Sequence, residues 1–174
     1  MGLGPILSQS QHEGGRWSAV DETMAVANDG ALIEPLGNLV GLLAAAAGAK
    51  SSDHLVIAGG GVDHLIDLMR RGFSNAACAL PGRRLTGEDP DVLLIPNAAS
   101  PDELKLILAG LGRRLHAAGV AVIYDRHLPT RQRLTALNRL LAQYGFAPLV
   151  RLPCACGHVL KTLKLDAKLL TSAA

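Results

Sequence analysis

Apolar positions change rhythm along this chain. Between residues 32 and 49 they fall at Leu36, Leu39, Val40 and Leu43, the spacing of one helical face, and Gly48 suits that helix's end. Beyond it, short apolar runs alternate with helical patterns. Residues 55–58, 76–80, 92–95 and 120–124 read as strands, and residues 62–71, 101–118 and 131–144 as helices. Short unbroken apolar runs belong to strands covered on both faces. The pattern therefore predicts an α/β fold, a mostly parallel sheet with helices on both faces. Two late extended stretches, 147–152 and 158–165, flank Pro153-Cys154-Ala155-Cys156-Gly157 and predict a C-terminal antiparallel hairpin.

Several boundaries carry their own chemistry. Ser100-Pro101-Asp102-Glu103 combines a capping hydroxyl, a proline at the first helical position and two acids in the first turn. Thr130 stands ready to cap the helix over 131–144, and Gly145 to end it. Residues 1–31 hold Gly14-Gly15 and scattered polar residues without a sustained period. They read as an N-terminal arm with a short helix at most, over 20–27, that caps a site or reaches a neighbour. Residues 32–174 read as one domain.

Composition narrows the class. Hydrophobic residues make up 49% of the 174 and aromatic residues 3%, so the core must be aliphatic. No run reaches the roughly 18 apolar residues of a membrane span; residues 36–49 come closest but hold Asn38 and glycines. Residues 1–18 lack the basic start and apolar core of a secretory signal, so a cytoplasmic protein is expected. The three cysteines, Cys78, Cys154 and Cys156, are too few and odd in number for a disulfide framework, which fits a reducing compartment. Charge is uneven. Residues 1–50 carry two basic and five acidic side chains, residues 51–112 five and eight, and residues 113–174 ten and two. The basic C-terminal third suits an acidic partner, nucleic acid, or the acidic part of the same chain.

The segment from Asp53 to Asp63 carries the main chemical signal. A short apolar strand breaks at Gly59-Gly60-Gly61 into a helix, a turn where backbone can approach a ligand and where unpaired amides face it. The dinucleotide fingerprint Gly-x-Gly-x-x-Gly is not completed after Gly61. Three matches in order resemble the class I S-adenosylmethionine-dependent methyltransferases. They are Val56-Ile-Ala-Gly-Gly-Gly61 at the glycine loop, Pro90-Asp-Val-Leu-Leu-Ile-Pro-Asn97 at the fourth strand, and Leu115-His-Ala-Ala-Gly-Val-Ala-Val-Ile123 leading into the fifth. Gly145-Phe146 and the terminal extended stretches match the last two strands, so the resemblance spans about residues 34–165.

The resemblance implies a Rossmann-like sheet and S-adenosylmethionine as cofactor, with Gly59, Gly60, Gly61, Asp63 and Asn97 as candidate cofactor-binding residues. It also exposes departures. The family's first-strand acid falls on Ile57, its third glycine on Asp63, and the second strand, Asn75 to Gly82, has no carboxylate near its end. Asp63, Glu88 and Asp89 are the acids available to fill the gap. Two functions follow: methyl transfer to a small-molecule or macromolecular acceptor, or a degenerate, non-catalytic fold serving as a structural or regulatory subunit for a protein partner or a second copy. A third reading is an NADP-binding protein, with Arg83-Arg84 taking a 2′-phosphate.

Other constellations are weaker. Asn97 follows the fourth strand where amino-methylating members carry an Asn/Asp-Pro-Pro-aromatic motif, but no aromatic follows here, and a turn role is the competing explanation. Alternation in an extended hairpin places Cys154, Cys156 and His158 on one side as a potential metal set; buried free cysteines are the competing explanation. His64, His116 and His127 lack a partner at catalytic spacing, and no Gly-x-Ser-x-Gly turn is present. Arg131, Arg133 and Arg139 could meet phosphates, but Leu134, Leu137, Leu140 and Leu141 make the same helix a core-facing one, and no aromatic platform accompanies it.

Overall fold

The structure, a computed structural model, describes residues 39–80, 87–97, 100–126, 130–154 and 157–166. The arm over 1–31, the start of the first helix, Arg83-Arg84, His127 and Cys156 lie outside these residues. In chain order the elements are α1 (Leu39–Ala47), β1 (Leu55–Ala58), α2 (Val62–Arg70), β2 (Ala76–Ala79), β3 (Val92–Ile95), α3 (Pro101–Ile107, continued as a π-helical turn over Leu108–Gly112), β4 (Val120–Asp125), α4 (Arg131–Gln143), β5 (Val150–Cys154) and β6 (Gly157–Leu163). No helix among the described residues is long and apolar enough to cross a membrane.

The six strands form one sheet in the order β2-β1-β3-β4-β6-β5. β2, β1, β3 and β4 are parallel, with Ile57 opposite Cys78 and Leu94 on its two sides, and Ile95 opposite Ile123. β6 runs antiparallel to β4 and β5, so the chain ends in the expected hairpin. Every residue of β1 and β3 is buried, the consequence of helices on both faces. Alternation divides the core. Val56 and Ala58 point toward α3 and α4 with Leu104, Ile107, Leu111, Leu137 and Leu141. Leu55 and Ile57 point toward α1 and α2 with Val40, Leu43 and Leu68. Full burial of each such Leu or Ile contributes roughly 1.5–3 kcal/mol, and Phe146 joins the aliphatic side chains on the α3 and α4 side.

The predicted helix ends are formed as the residues require. Ser100 and Thr130 accept from the backbone amides of Glu103 and Arg133. α1 closes with the Gly48 amide donating to Ala45 and the Ala49 amide to Ala44, and α4 closes in the same way at Gly145. One boundary differs. The helix expected over 101–118 widens into π-helical turns at Leu108 and stops at Gly112, and the chain then turns through Ala118 at φ 64°. Leu108, Leu111 and Leu115 all remain buried through the change. Gly119 is fixed by crowding, since a Cβ there would come within 2.8 Å of the His116 carbonyl and 2.9 Å of that of Asp91.

Candidate functional site

The chain leaves β1, builds β2 on one side, and returns to build β3 on the other. Connections part at the carboxyl ends of β1 and β3, the crevice where open α/β sheets bind ligands. Gly59-Gly60-Gly61 lies there because it directly follows β1, and Pro96-Asn97 lies there because it follows β3.

The three glycines are not equivalent. Gly59 has φ 73°, a left-handed conformation that glycine adopts without strain. A Cβ on Gly60 would stand 2.5 Å from Ile57 Cγ2 and 3.4 Å from Pro96, so the turn is pressed onto the strand beneath it. Among the described residues a Cβ on Gly61 would meet nothing within 4 Å, which leaves that part of the turn open to them. Gly61 is the N-cap of α2; having no side chain, it caps nothing itself, and its amide donates to His64 Nδ1 at 3.2 Å. That bond uses the Nδ1 lone pair, so the His64 proton sits on Nε2. From behind, the Cys78 thiol donates to the Gly61 carbonyl at 3.6 Å. Burial pushes the Cys78 thiol up, and the nearby backbone of Leu65 pulls it the other way less strongly.

The predicted residues are gathered unequally. Gly59, Gly60 and Gly61 share the turn, and Asp63 is exposed in the first turn of α2, where a carboxylate opposes the helix dipole. Asn97 is exposed at the end of β3, and its carbonyl lies 3.8 Å from a Cβ position on Gly59. Ile57 is fully buried against α1 and α2, so no polar group rises from β1. Glu88 and Asp89 are elsewhere. Asp89 pairs with Arg114 at 2.7 Å, and its carbonyl faces His54 just before β1, at the amino ends of the strands. The opposite edge of the sheet cannot supply the missing carboxylate to the glycine turn.

Sequence reasoning overlooked Glu103. Read only as a first-turn acid of α3, it reaches across from β3's side, with Oε1 3.5 Å from a Cβ position on Gly59. Asp125 was also missed, because the apolar run of β4 marks a strand over 120–124 only. It is buried at the carboxyl end of β4 and meets Arg133 of α4, Nε to Oδ2, at 3.0 Å. An acid closing an otherwise apolar parallel strand was the available signal. Arg133 is thereby engaged inside the fold, while Arg131 and Arg139 remain exposed on α4.

Beside this pair, α3 and α4 enclose a cleft of about 240 Å³ lined by Pro101, Leu104, Ile123, Leu137 and Leu140, with Ala136 at its rim. Its walls are mainly aliphatic; Asp125 and Arg133 form a charged pair in it, and Asp102 and Lys105 of α3 also line it. The first turn of α3 therefore borders two features. Glu103 faces the glycine turn, and Pro101 and Leu104 face the cleft.

The hairpin register separates the proposed metal ligands. Cys154 pairs with Gly157 and Pro153 with His158, so Cys154 and His158 fall on opposite faces of the sheet. Cys154 packs toward the α1 side, and His158 Nδ1 lies 2.9 Å from the Arg151 guanidinium. Alternation holds along one straight strand, and the chain reverses between Cys154 and Gly157. Among the described residues no three His, Cys, Asp or Glu side chains are grouped to hold a metal ion.

No family model matches the chain, and no curated protein does. Solved structures do. Human N-acetylserotonin methyltransferase in complex with S-adenosylmethionine aligns with 67% of this chain and 49% of its own, at 11% identity and TM-score 0.50. An O-methyltransferase from neocarzinostatin biosynthesis, in complex with S-adenosyl-L-homocysteine and 1,4-dihydroxy-2-naphthoic acid, aligns with 66% of this chain and 50% of its own, at 12% identity and TM-score 0.50. The fold is class I methyltransferase-like. The precorrin-6y C5,15-methyltransferase of Geobacter metallireducens GS-15 covers 73% of this chain and 76% of its own, at 14% identity and TM-score 0.49. The chain spans about half the length of the first two proteins. At these identities the likeness is one of fold alone.

Proposed function

We propose that this chain binds S-adenosylmethionine at the glycine turn and directs its methyl group to a small-molecule acceptor held in the cleft between α3 and α4. The observation carrying the reading is the turn's geometry at the switch point: Gly60 is pressed so closely onto Ile57 that a side chain has no room, while no described residue fills the space over Gly61. Such a surface fits a nucleoside cofactor through backbone contact. The residues at the ends of β1 and β2 offer it no carboxylate.

Bound there, S-adenosylmethionine supplies an electrophilic methyl group. The chain's contribution is orientation. Leu104, Leu137 and Leu140 bury the acceptor's apolar body, and the Asp125–Arg133 pair presents both a hydrogen-bond acceptor and a donor to its polar group. Asp102 and Lys105 line the cleft too, so two acidic and two basic side chains balance there, and a neutral hydroxyl, phenol or amide is favoured over an ion that would leave an unpaired charge in the cleft. Positioning of this kind removes much of the displacement barrier without a dedicated base: the methyl–sulfur bond would break as the acceptor atom bonds the methyl, S-adenosylhomocysteine would leave, and the acceptor's proton would pass to water.

A first acceptor to test is 1,4-dihydroxy-2-naphthoic acid, the compound in the neocarzinostatin enzyme complex, beside neutral naphthols without the carboxylate. With labelled S-adenosylmethionine, transfer to a naphthol is expected and Ala136→Trp should abolish it by filling the cleft while leaving cofactor affinity unchanged. Undiminished transfer in Ala136→Trp would remove the cleft from the reaction.

A second reading, a non-catalytic subunit, is favoured by α2, where Val62, Ile66 and Met69 are exposed along one helical side. It requires no cofactor affinity, so binding of S-adenosylmethionine separates the two.

A further inference from the structure

The glycine turn has a carboxylate neighbour that comes from neither β1 nor β2. We propose that Glu103 of α3 supplies the acidic anchor those strands lack, binding the primary ammonium at the methionine end of S-adenosylmethionine. The inference rests on the reading above and adds to it a residue and the ligand group that residue recognises.

Three observations converge. Glu103 Oε1 lies 3.5 Å from the Cβ position of Gly59, so the carboxylate faces the turn across the space a side chain there would occupy. Its side chain is half-buried and makes no hydrogen bond or ion pair among the described residues, whereas the nearby Asp125 is matched to Arg133 and the distant Asp89 to Arg114. Its backbone is also fixed, because the Ser100 hydroxyl accepts from the Glu103 amide at 3.1 Å and Pro101 opens the helix. A carboxylate held in place, partly desolvated and unpaired gains most from a ligand that brings a cation with donors. The ammonium offers three N–H donors, and the sulfonium offers none. Charge-assisted hydrogen bonds therefore assign Glu103 to the ammonium.

The alternative anchor is Asp63, on the other side of the turn. It is exposed in the first turn of α2, where the helix end already favours its charge. It has less to gain from a cation than Glu103.

Calorimetric titration of the full chain with S-adenosylmethionine, S-adenosylhomocysteine and 5′-methylthioadenosine tests the assignment. The last compound keeps the nucleoside and lacks the amino-acid end. Glu103→Gln, which preserves shape and removes charge, is expected to weaken the first two by about ten-fold or more and to leave methylthioadenosine unchanged. Glu88→Gln removes the same charge at the opposite edge of the sheet and should change none of them. Equal affinities in wild type and Glu103→Gln would overturn the assignment while leaving the cofactor reading intact. So would an equal loss for all three ligands, which would mean a change in pocket shape, or a loss seen only in Asp63→Asn. Failure of the wild type to bind any of the three would instead overturn the cofactor reading and the assignment with it.

Discussion

Gly60 and Gly61 are adjacent, yet their surroundings assign them different roles. The methyl group of Ile57 sits where a Gly60 Cβ would go, and Ile57 is a buried, β-branched side chain with little freedom to retreat. Gly60→Ala is therefore expected to cost about 1–3 kcal/mol of stability. Gly61→Ala, placed in open space on an extended backbone at φ −84°, should cost under about 1 kcal/mol, mainly as a poorer helix cap. Denaturant unfolding of the two variants checks the pair; equal losses would contradict the packing described for the turn. The three glycines were visible in the sequence as a ligand-facing turn. Which of them serves packing and which faces open space was not, because that depends on the side chain rising from β1. Glu103 was hidden for a related reason. Its place in a capped first turn already had a sufficient local explanation, and its contact with Gly59 spans 44 residues of chain.

Elements with strong terminal chemistry were the most legible. β1 and β3 occupy the residues their apolar runs mark, and α3 and α4 start where Ser100 and Thr130 predict. The end of α3 was not legible. Leu104, Ile107, Leu108, Leu111 and Leu115 keep helical spacing past the point where the backbone widens and turns, so periodicity alone continues the helix too far. The joint between α4 and the sheet is a pair of charges, Arg133 and Asp125, with side chains 39% and 5% exposed. Removing the arginine charge in Arg133→Met leaves the buried carboxylate short of one partner. Since the arginine is itself partly solvated, the expected loss is about 1–2 kcal/mol, between the values for exposed and buried pairs. Double-mutant analysis with Asp125→Asn should recover part of it. Strictly additive losses would mean that the pair contributes no coupling.

At the scale of the whole molecule, the order of elements carried more information than any motif. Strand-helix alternation followed by an extended hairpin predicted the parallel sheet with its antiparallel end, since short buried strands need helices on both faces. Position at the two edges of the sheet was less accessible. Glu88 and Asp89 are only a few residues before β3 in sequence, but the chain has returned to the amino ends of the strands, far from the glycine turn. Hairpin topology likewise separates Cys154 from His158, although sequence alternation groups them. The resulting molecule has a glycine turn and a carboxylate without a partner among the described residues at one switch point, with an aliphatic cleft beside the first turn of α3. The central claim is that this edge binds S-adenosylmethionine. Isothermal titration of the wild-type chain tests it most directly. Saturable micromolar binding of S-adenosylmethionine and S-adenosylhomocysteine, abolished by Gly61→Val, is the predicted result. No heat and no thermal shift at millimolar ligand would contradict it.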